Sequence, residues 1–175
     1  ADALQLAGKS VICNRTGANL ASGIATALLQ QPKSQWGVFE CDELWLAKVT
    51  PGLQPTYVLL LNLFRDQLDR CGEIDRIQES IVGALVASPE TGLIFNADDP
   101  LCAFVASRAA EERARAGLAP LRMVAFGVGE SMHLAQNAVA DATMCQACSH
   151  IFRYEYRQYG QLGSYVCPEC GFSRP

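Results

Sequence analysis

Cys145, Cys148, Cys167 and Cys170 stand as two CxxC pairs with residues 149–166 between them. Two such pairs can bring four thiolates round one tetrahedral ion, each pair forming a tight turn, so the spacing predicts a structural zinc site. Pro168 and Gly171, in the segment CPECG, suit the second turn. Four protein ligands leave no open position for water, and the metal's expected work is therefore folding rather than catalysis. The competing reading is two redox or disulfide pairs. Against it, Cys13, Cys41, Cys71 and Cys102 are scattered singly in apolar segments, and reduced thiols beside a metal site suit a cytoplasmic protein.

Three polar clusters fall where strands are expected to end. FECDE at 39–43 presents Glu40 as its innermost acid, and carboxylates at a strand exit can hold Mg²⁺ beside a nucleotide's phosphates, because that ion takes oxygen ligands. A solvated turn is the plainer reading of the same acids. NLFRDQLDRCGEID at 62–75 is dense with Asn62, Arg65, Asp66, Gln67, Asp69 and Arg70, which reads either as a site or as a polar loop feeding a helix. NADDP at 96–100 could present the Asn96 amide to a base, while Asp99 before Pro100 is explained as a helix cap.

The elements that would position these clusters alternate in type. Apolar strands are expected at Ser10–Cys13, Trp36–Glu40, Tyr57–Asn62, Leu93–Asn96 and Arg122–Phe126, and Tyr57–Asn62 reads as a strand buried on both faces. Helices are expected around Leu4–Leu6, over Gly17–Gln30 up to Pro32, and from Gly72 to about Ala87 with Ile74, Ile77, Ile81 and Leu85 on one face. The helix starting at Asp99 keeps Leu101, Phe104, Val105 and Ala109 together and pairs Arg108 with Glu112 and Glu111 with Arg115. Gly117 stops it. Strands alternating with such helices predict an α/β fold, a doubly wound, mostly parallel sheet flanked by helices, with ligands at the strands' carboxyl ends. From Met132 the helical periodicity ends, and Ile151–Tyr156 with Ser164–Val166 reads as a short hairpin between the cysteine pairs. The organisation expected is therefore residues 1–131 as one domain and 132–175 as a small zinc-binding β subdomain.

Composition narrows the partners. Fourteen basic against eighteen acidic residues give a formal charge of −4, which supplies no positive field for nucleic acid or an anionic membrane. Arg153, Tyr154, Tyr156, Arg157 and Tyr159 interleave charge with rings, a pattern that can bind single strands, but solvated hairpin faces explain it better. No apolar run approaches the roughly 20 residues that span a bilayer.

The order of these segments carries a resemblance. NRTGAN at 14–19, FECDE at 39–43, PTYVLLLNLFRDQLDRCGEID at 55–75 and NADDP at 96–100 are similar to the central, ATP-binding domain of the Mur ligase family, in the branch with an inserted four-cysteine zinc ribbon. That resemblance implies the P-loop-like Mur ligase fold for 1–131 and a ribbon insertion for 132–175. It implies ATP, Mg²⁺ and zinc as cofactors, with Glu40 on magnesium, Asn96 near the adenine, and Asn62, Asp66 and Asp69 lining the same cleft. It further implies activation of the D-glutamate carboxylate of the peptidoglycan stem peptide, on lipid II or a related muropeptide precursor. The product expected is D-isoglutamine, made with ammonia from a GatD-type glutamine amidotransferase.

Two departures qualify these implications. Gln67 stands where many Mur ligases have a metal-contacting histidine. The family's GxxGKT phosphate loop lies upstream of the strand ending at Asn14, and the carboxyl-terminal domain with its catalytic aspartate follows the central one. Gly8, Lys9 and Ser10 lack the leading glycine and precede a strand, so they are not expected to form that loop. These 175 residues alone are accordingly expected to be inactive and to bind ATP weakly or not at all. Two other readings compete: a folylpolyglutamate-synthase-like ligase, which lacks the ribbon, and a zinc-ribbon module for protein or nucleic acid on an inactive nucleotide-binding fold.

Overall fold

Among the described residues, two separate parallel sheets, rather than one, carry the strands of the α/β part. The computed structural model describes residues 1–15, 18–64, 73–134 and 142–175. In chain order these form α1 (Asp2–Leu6), β1 (Val11–Ile12), α2 (Ala21–Gln30), β2 (Trp36–Gly37), α3 (Leu46–Leu53), β3 (Tyr57–Leu60), α4 (Glu73–Ala87), β4 (Gly92–Asn96), α5 (Pro100–Arg115), β5 (Met123–Phe126), β6 (Arg153–Gln158) and β7 (Leu162–Val166). β1 pairs with β2, and β3, β4 and β5 follow one another in a second parallel sheet. The parallel α/β character expected from the sequence is thus present. β6 and β7 pair antiparallel, as the ribbon hairpin.

The three-stranded sheet has one covered face. Leu60, Leu93 and Phe95 point to the same side, where they join Ile77, Ile81 and Leu85 of α4 and Leu101 and Val105 of α5 in one buried cluster. Strand alternation puts the register partners Leu59, Ile94 and Val124 on the other side. Leu59 is 57% and Val124 51% exposed, so β3 is not the doubly buried strand its apolar run suggests. Composition alone cannot tell a strand covered on both faces from one covered on one.

The helices follow local rules with two exceptions. Asp99 caps α5 by accepting the Leu101 N–H at 2.9 Å, Arg108 meets Glu112 at 3.8 Å and Arg115 meets Glu111 at 3.6 Å. α2 begins at Ala21, later than its periodicity implies, and buries Ile24 and Ala27 while Leu20 and Leu28 remain partly open. α3 has no counterpart among the expected elements, because Pro51 and Gly52 read as breakers. Proline removes one helical donor, and α3 ends only two residues later, at Leu53, with Gln54 in the left-handed region as its C-cap.

Arg113 is a further surprise: it is buried in α5, and its guanidinium donates to the carbonyls of Pro89, Thr91 and Ala119. It thereby ties the loop entering β4 and the loop entering β5 to the helix. No helix among the described residues is long and apolar enough to cross a membrane.

The candidate metal centre and the strand exits

The two CxxC segments fold into matching turns. The Cys145 N–H donates to the His150 carbonyl at 2.8 Å and the Cys145 carbonyl accepts from Ser149 N–H at 2.8 Å; Cys167 repeats this with Phe172 at 2.7 Å and Gly171 at 3.0 Å. Ser149 and Gly171, each just past the second cysteine of its pair, both have positive φ, 62° and 77°. Glycine adopts that conformation without strain, and serine's presence at 149 shows the turn imposing it.

All four Sγ atoms lie within 4.8 Å of one another, with Cys145 to Cys170 at 3.6 Å and Cys148 to Cys167 at 3.4 Å. A disulfide holds its sulfurs near 2.05 Å, and the described cysteines are all free. Ligands about 2.3 Å from a tetrahedral zinc lie about 3.8 Å apart, so the cluster fits that ion. Cys167 is drawn down to about 6, chiefly by the backbone N–H of Cys170 and then that of Glu169. Burial pushes Cys145 up. The turn amides therefore favour the thiolate first at Cys167, and a soft thiolate is the donor zinc binds.

The ribbon is packed on the α/β part by rings rather than by solvated faces. Phe152 lies 5.3 Å from Tyr165, and Phe172 lies 6.1 Å from Phe104 of α5, both edge-on. Tyr165 Oη donates to the Ala97 carbonyl at 3.1 Å. Tyr154, expected on a wet hairpin face, instead packs against the core and donates to the carbonyls of Ala142 and Gln161. Tyr159 is exposed, as expected.

The strand exits divide into two tied pairs. Asn14, buried after β1, donates to the Glu40 and Ala18 carbonyls at 2.8 Å each and accepts the Glu40 N–H at 2.9 Å. The Glu40 backbone is held from both sides, and the residue itself is exposed. At the second pair, Asp99 Oδ2 accepts the Leu63 N–H at 2.8 Å, which joins the β3 exit, where exposed Asn62 stands, to the β4 exit. Ser80 Oγ of α4 donates to the Glu43 carbonyl at 2.9 Å and links FECDE to that helix. Asp66 and Asp69 lie outside the described residues.

The NADDP segment carries more than a cap. Asn96 is buried and its Oδ1 accepts the Asp98 N–H at 3.0 Å, which shapes the turn leaving β4. Asp98 accepts from Arg174 Nε and Val128 N–H, both at 2.7 Å, and its carbonyl accepts from Gly163 N–H at 2.8 Å. A Cβ on Gly127 would strike the Asp98 carboxylate, so a glycine is required there. Asp99 is fully buried and also accepts from Gln161 Nε2 at 2.9 Å. Burial pushes its carboxyl above the ordinary range, against the pull of the Leu63 and Leu101 amides, the Cys102 thiol and Gln161. Arg174 and Gln161 carry no motif that marks them in sequence; each is paired with residues 62 or more positions away.

The Gly8–Ser10 segment lies between the end of α1 and the start of β1. Gly8 has φ +73°, and the Lys9 N–H closes on the Leu4 carbonyl at 3.0 Å. This is a helix end leading into a strand, whereas a phosphate loop leads from a strand into a helix.

No family model matches the chain. Among curated proteins it is 34% identical over 167 residues to the MurT subunit of the glutamine-hydrolyzing lipid II isoglutaminyl synthase of Staphylococcus aureus, strains COL and N315. It is 31% identical over 169 residues to the subunit of the same name in Streptococcus pneumoniae strain ATCC BAA-255 / R6. The chain spans about a third of the length of these relatives, 35% and 36%. The chain is thus similar to the MurT subunit along 94% of its own residues.

Proposed function

We propose that the chain is the central, nucleotide-binding part of an ATP-dependent carbon–nitrogen ligase of the MurT kind, with residues 132–175 inserted into it as a zinc ribbon. The similarity to MurT over 94% of the chain carries this reading. The reaction is amidation of the D-glutamate carboxylate in the stem peptide of lipid II, in the cytoplasm. A carboxylate oxygen attacks the γ-phosphorus of ATP and the bond to ADP breaks, leaving an acyl phosphate. Ammonia, released by a GatD-type glutaminase partner, then attacks the acyl carbon; phosphate leaves, and the nitrogen gives up a proton to solvent.

Within this reading each strand exit has a task. Glu40 offers hard carboxylate oxygens on a backbone fixed by Asn14, the donor type that suits magnesium. When bound, the ion neutralises crowded phosphate charge. Asn62 lines the cleft from β3, together with Asp66 and Asp69, and Asn96 shapes the end of β4 beside the base. The structural zinc stays with the four cysteines and takes no part in the reaction.

Glu40→Gln keeps the size of the side chain and removes its charge. In the intact enzyme the variant is expected to lower magnesium-dependent ATP turnover about 100-fold, the scale seen when one preorganised electrostatic contact is lost. Unchanged turnover at limiting magnesium would remove Glu40 from the site.

A further inference from the structure

We infer that Gln161, in the turn between β6 and β7, is a positioning residue for the nucleotide site, clamping the exits of β3 and β4 against each other from the ribbon. The inference rests on the ligase reading above. Gln161 is fully buried, and its Nε2 donates to the Leu63 carbonyl at 2.7 Å and to Asp99 Oδ1 at 2.9 Å. Since the Leu63 N–H goes to the other Asp99 oxygen, both main-chain polar groups of Leu63 are held in one ring with Asp99 and Gln161. Leu63 directly follows Asn62, and Asp99 lies three residues beyond Asn96. The two amides assigned to the nucleotide are thus set relative to each other by a side chain that belongs to neither strand.

The clamp is itself held. Tyr154 Oη donates to the Gln161 carbonyl at 3.2 Å, and Gly163 N–H donates to the Asp98 carbonyl. A Cβ on Gly163 would collide with the Tyr156 carbonyl, so β7 can pair this closely with β6 beside the turn only with glycine there.

The chemistry also explains why this residue is an amide. Leucine would fill the space but leave the buried Leu63 carbonyl without this donor and Asp99 Oδ1 with the Leu101 N–H alone, and glutamate would set a second charge against buried Asp99. Two donors from one nitrogen meet both acceptors. The cost is Gln161 Oε1, which is buried without a hydrogen-bond partner among the described residues. Packing alone does not call for a polar side chain at this position; the two acceptors do.

The test uses the intact enzyme and three readings: kcat against KM for MgATP, exchange of the Leu63 amide, and bound zinc. Gln161→Leu is expected to raise KM for MgATP about tenfold, a small part of the roughly 100-fold that misplacing a group by 1 Å can cost. Leu63 exchange should quicken about tenfold, as expected for losing hydrogen bonds that restrain local opening, with zinc retained. Gln161→Asn, one methylene shorter and able to reach one acceptor at most, should fall between, and it decides the matter if the leucine variant does not fold. A residue that serves stability alone would reduce the active fraction, lowering kcat with KM unmoved. Unmoved KM, or an unchanged Leu63 amide, overturns the inference while leaving the ligase reading intact. A wild-type enzyme without any ATP dependence overturns both.

Discussion

Cys167→Ser is expected to reduce bound zinc from about one ion per chain to none and to unfold the ribbon over residues 142–175. Cys167 is fully buried, and its amide and carbonyl close one of the two turns that present the sulfurs. A ribbon of two short strands has little core of its own, and structural zinc supplies about 10–16 kcal/mol of folding free energy in small metal-bound modules. Loss of the ribbon exposes Leu101 and Cys102 of α5, which lie in the cluster shared with Phe152, Tyr165 and Cys167, and takes Phe172 from the ring of Phe104. The α/β part should therefore lose stability as well, visible as a lower melting temperature, and a chelator should reproduce the effect in the unaltered protein. Full zinc with unchanged melting would sink the four-ligand assignment.

The second large effect is expected at Asp99. Truncation to alanine removes the cap on α5 and leaves the Leu63 N–H and one of the two Gln161 Nε2 hydrogens buried without an acceptor. A cap contributes about 1 kcal/mol and each of the two orphaned buried donors costs about 1–3, so Asp99→Ala should destabilise by about 3–7 kcal/mol. The sign of the pH effect follows from burial. Because the folded carboxyl is held above its ordinary value of 3.8, the folded state binds this proton more tightly than the unfolded state. Asp99 thus costs no stability below that value, and its cost grows as pH rises through the raised range. Asp99→Asn should accordingly flatten the loss of stability as pH is raised from about 4, measured by denaturant unfolding. A loss below about 1 kcal/mol for the alanine variant would reduce Asp99 to an ordinary exposed cap.

What could be read from sequence was local. The CxxC spacing, the Asp99–Pro100 start, the ion pairs one turn apart in α5 and the Ile74–Leu85 stripe each depend on neighbours in the chain, and each stands where expected. Features that depend on distant partners were not legible. Nothing in the run Tyr57–Leu61 distinguishes the covered face from the open one, and Arg113 carries no mark of the three carbonyls it will meet. The aromatic residues of the hairpin pattern equally as wet faces and as anchors; Tyr165 and Tyr154 became anchors because Ala97, Ala142 and Gln161 offer carbonyls at the right places. In NADDP, the cap explanation of Asp99 held, but its carboxylate also serves the ribbon joint, which required knowing that Gln161 returns to it from 62 residues away.

The joint gives the ribbon a role that its metal alone does not explain. Arg174, Gly163, Gln161 and Tyr165 all reach the turn after β4, so the metal site holds a surface against the strand exits where the proposed nucleotide site lies. Under the proposed function, a bound zinc would act at a distance from the chemistry, by ordering the part that orders the site.

The central claim is amidation driven by ATP, and mass spectrometry of the stem peptide tests it most directly. The zinc-loaded intact enzyme, its glutaminase partner, glutamine, MgATP and lipid II should convert the D-glutamate carboxyl to an amide, with ADP and phosphate released in step and no conversion when ATP is withheld. An unchanged stem peptide, with the glutaminase demonstrably supplying ammonia and zinc bound to the four cysteines, would contradict the account.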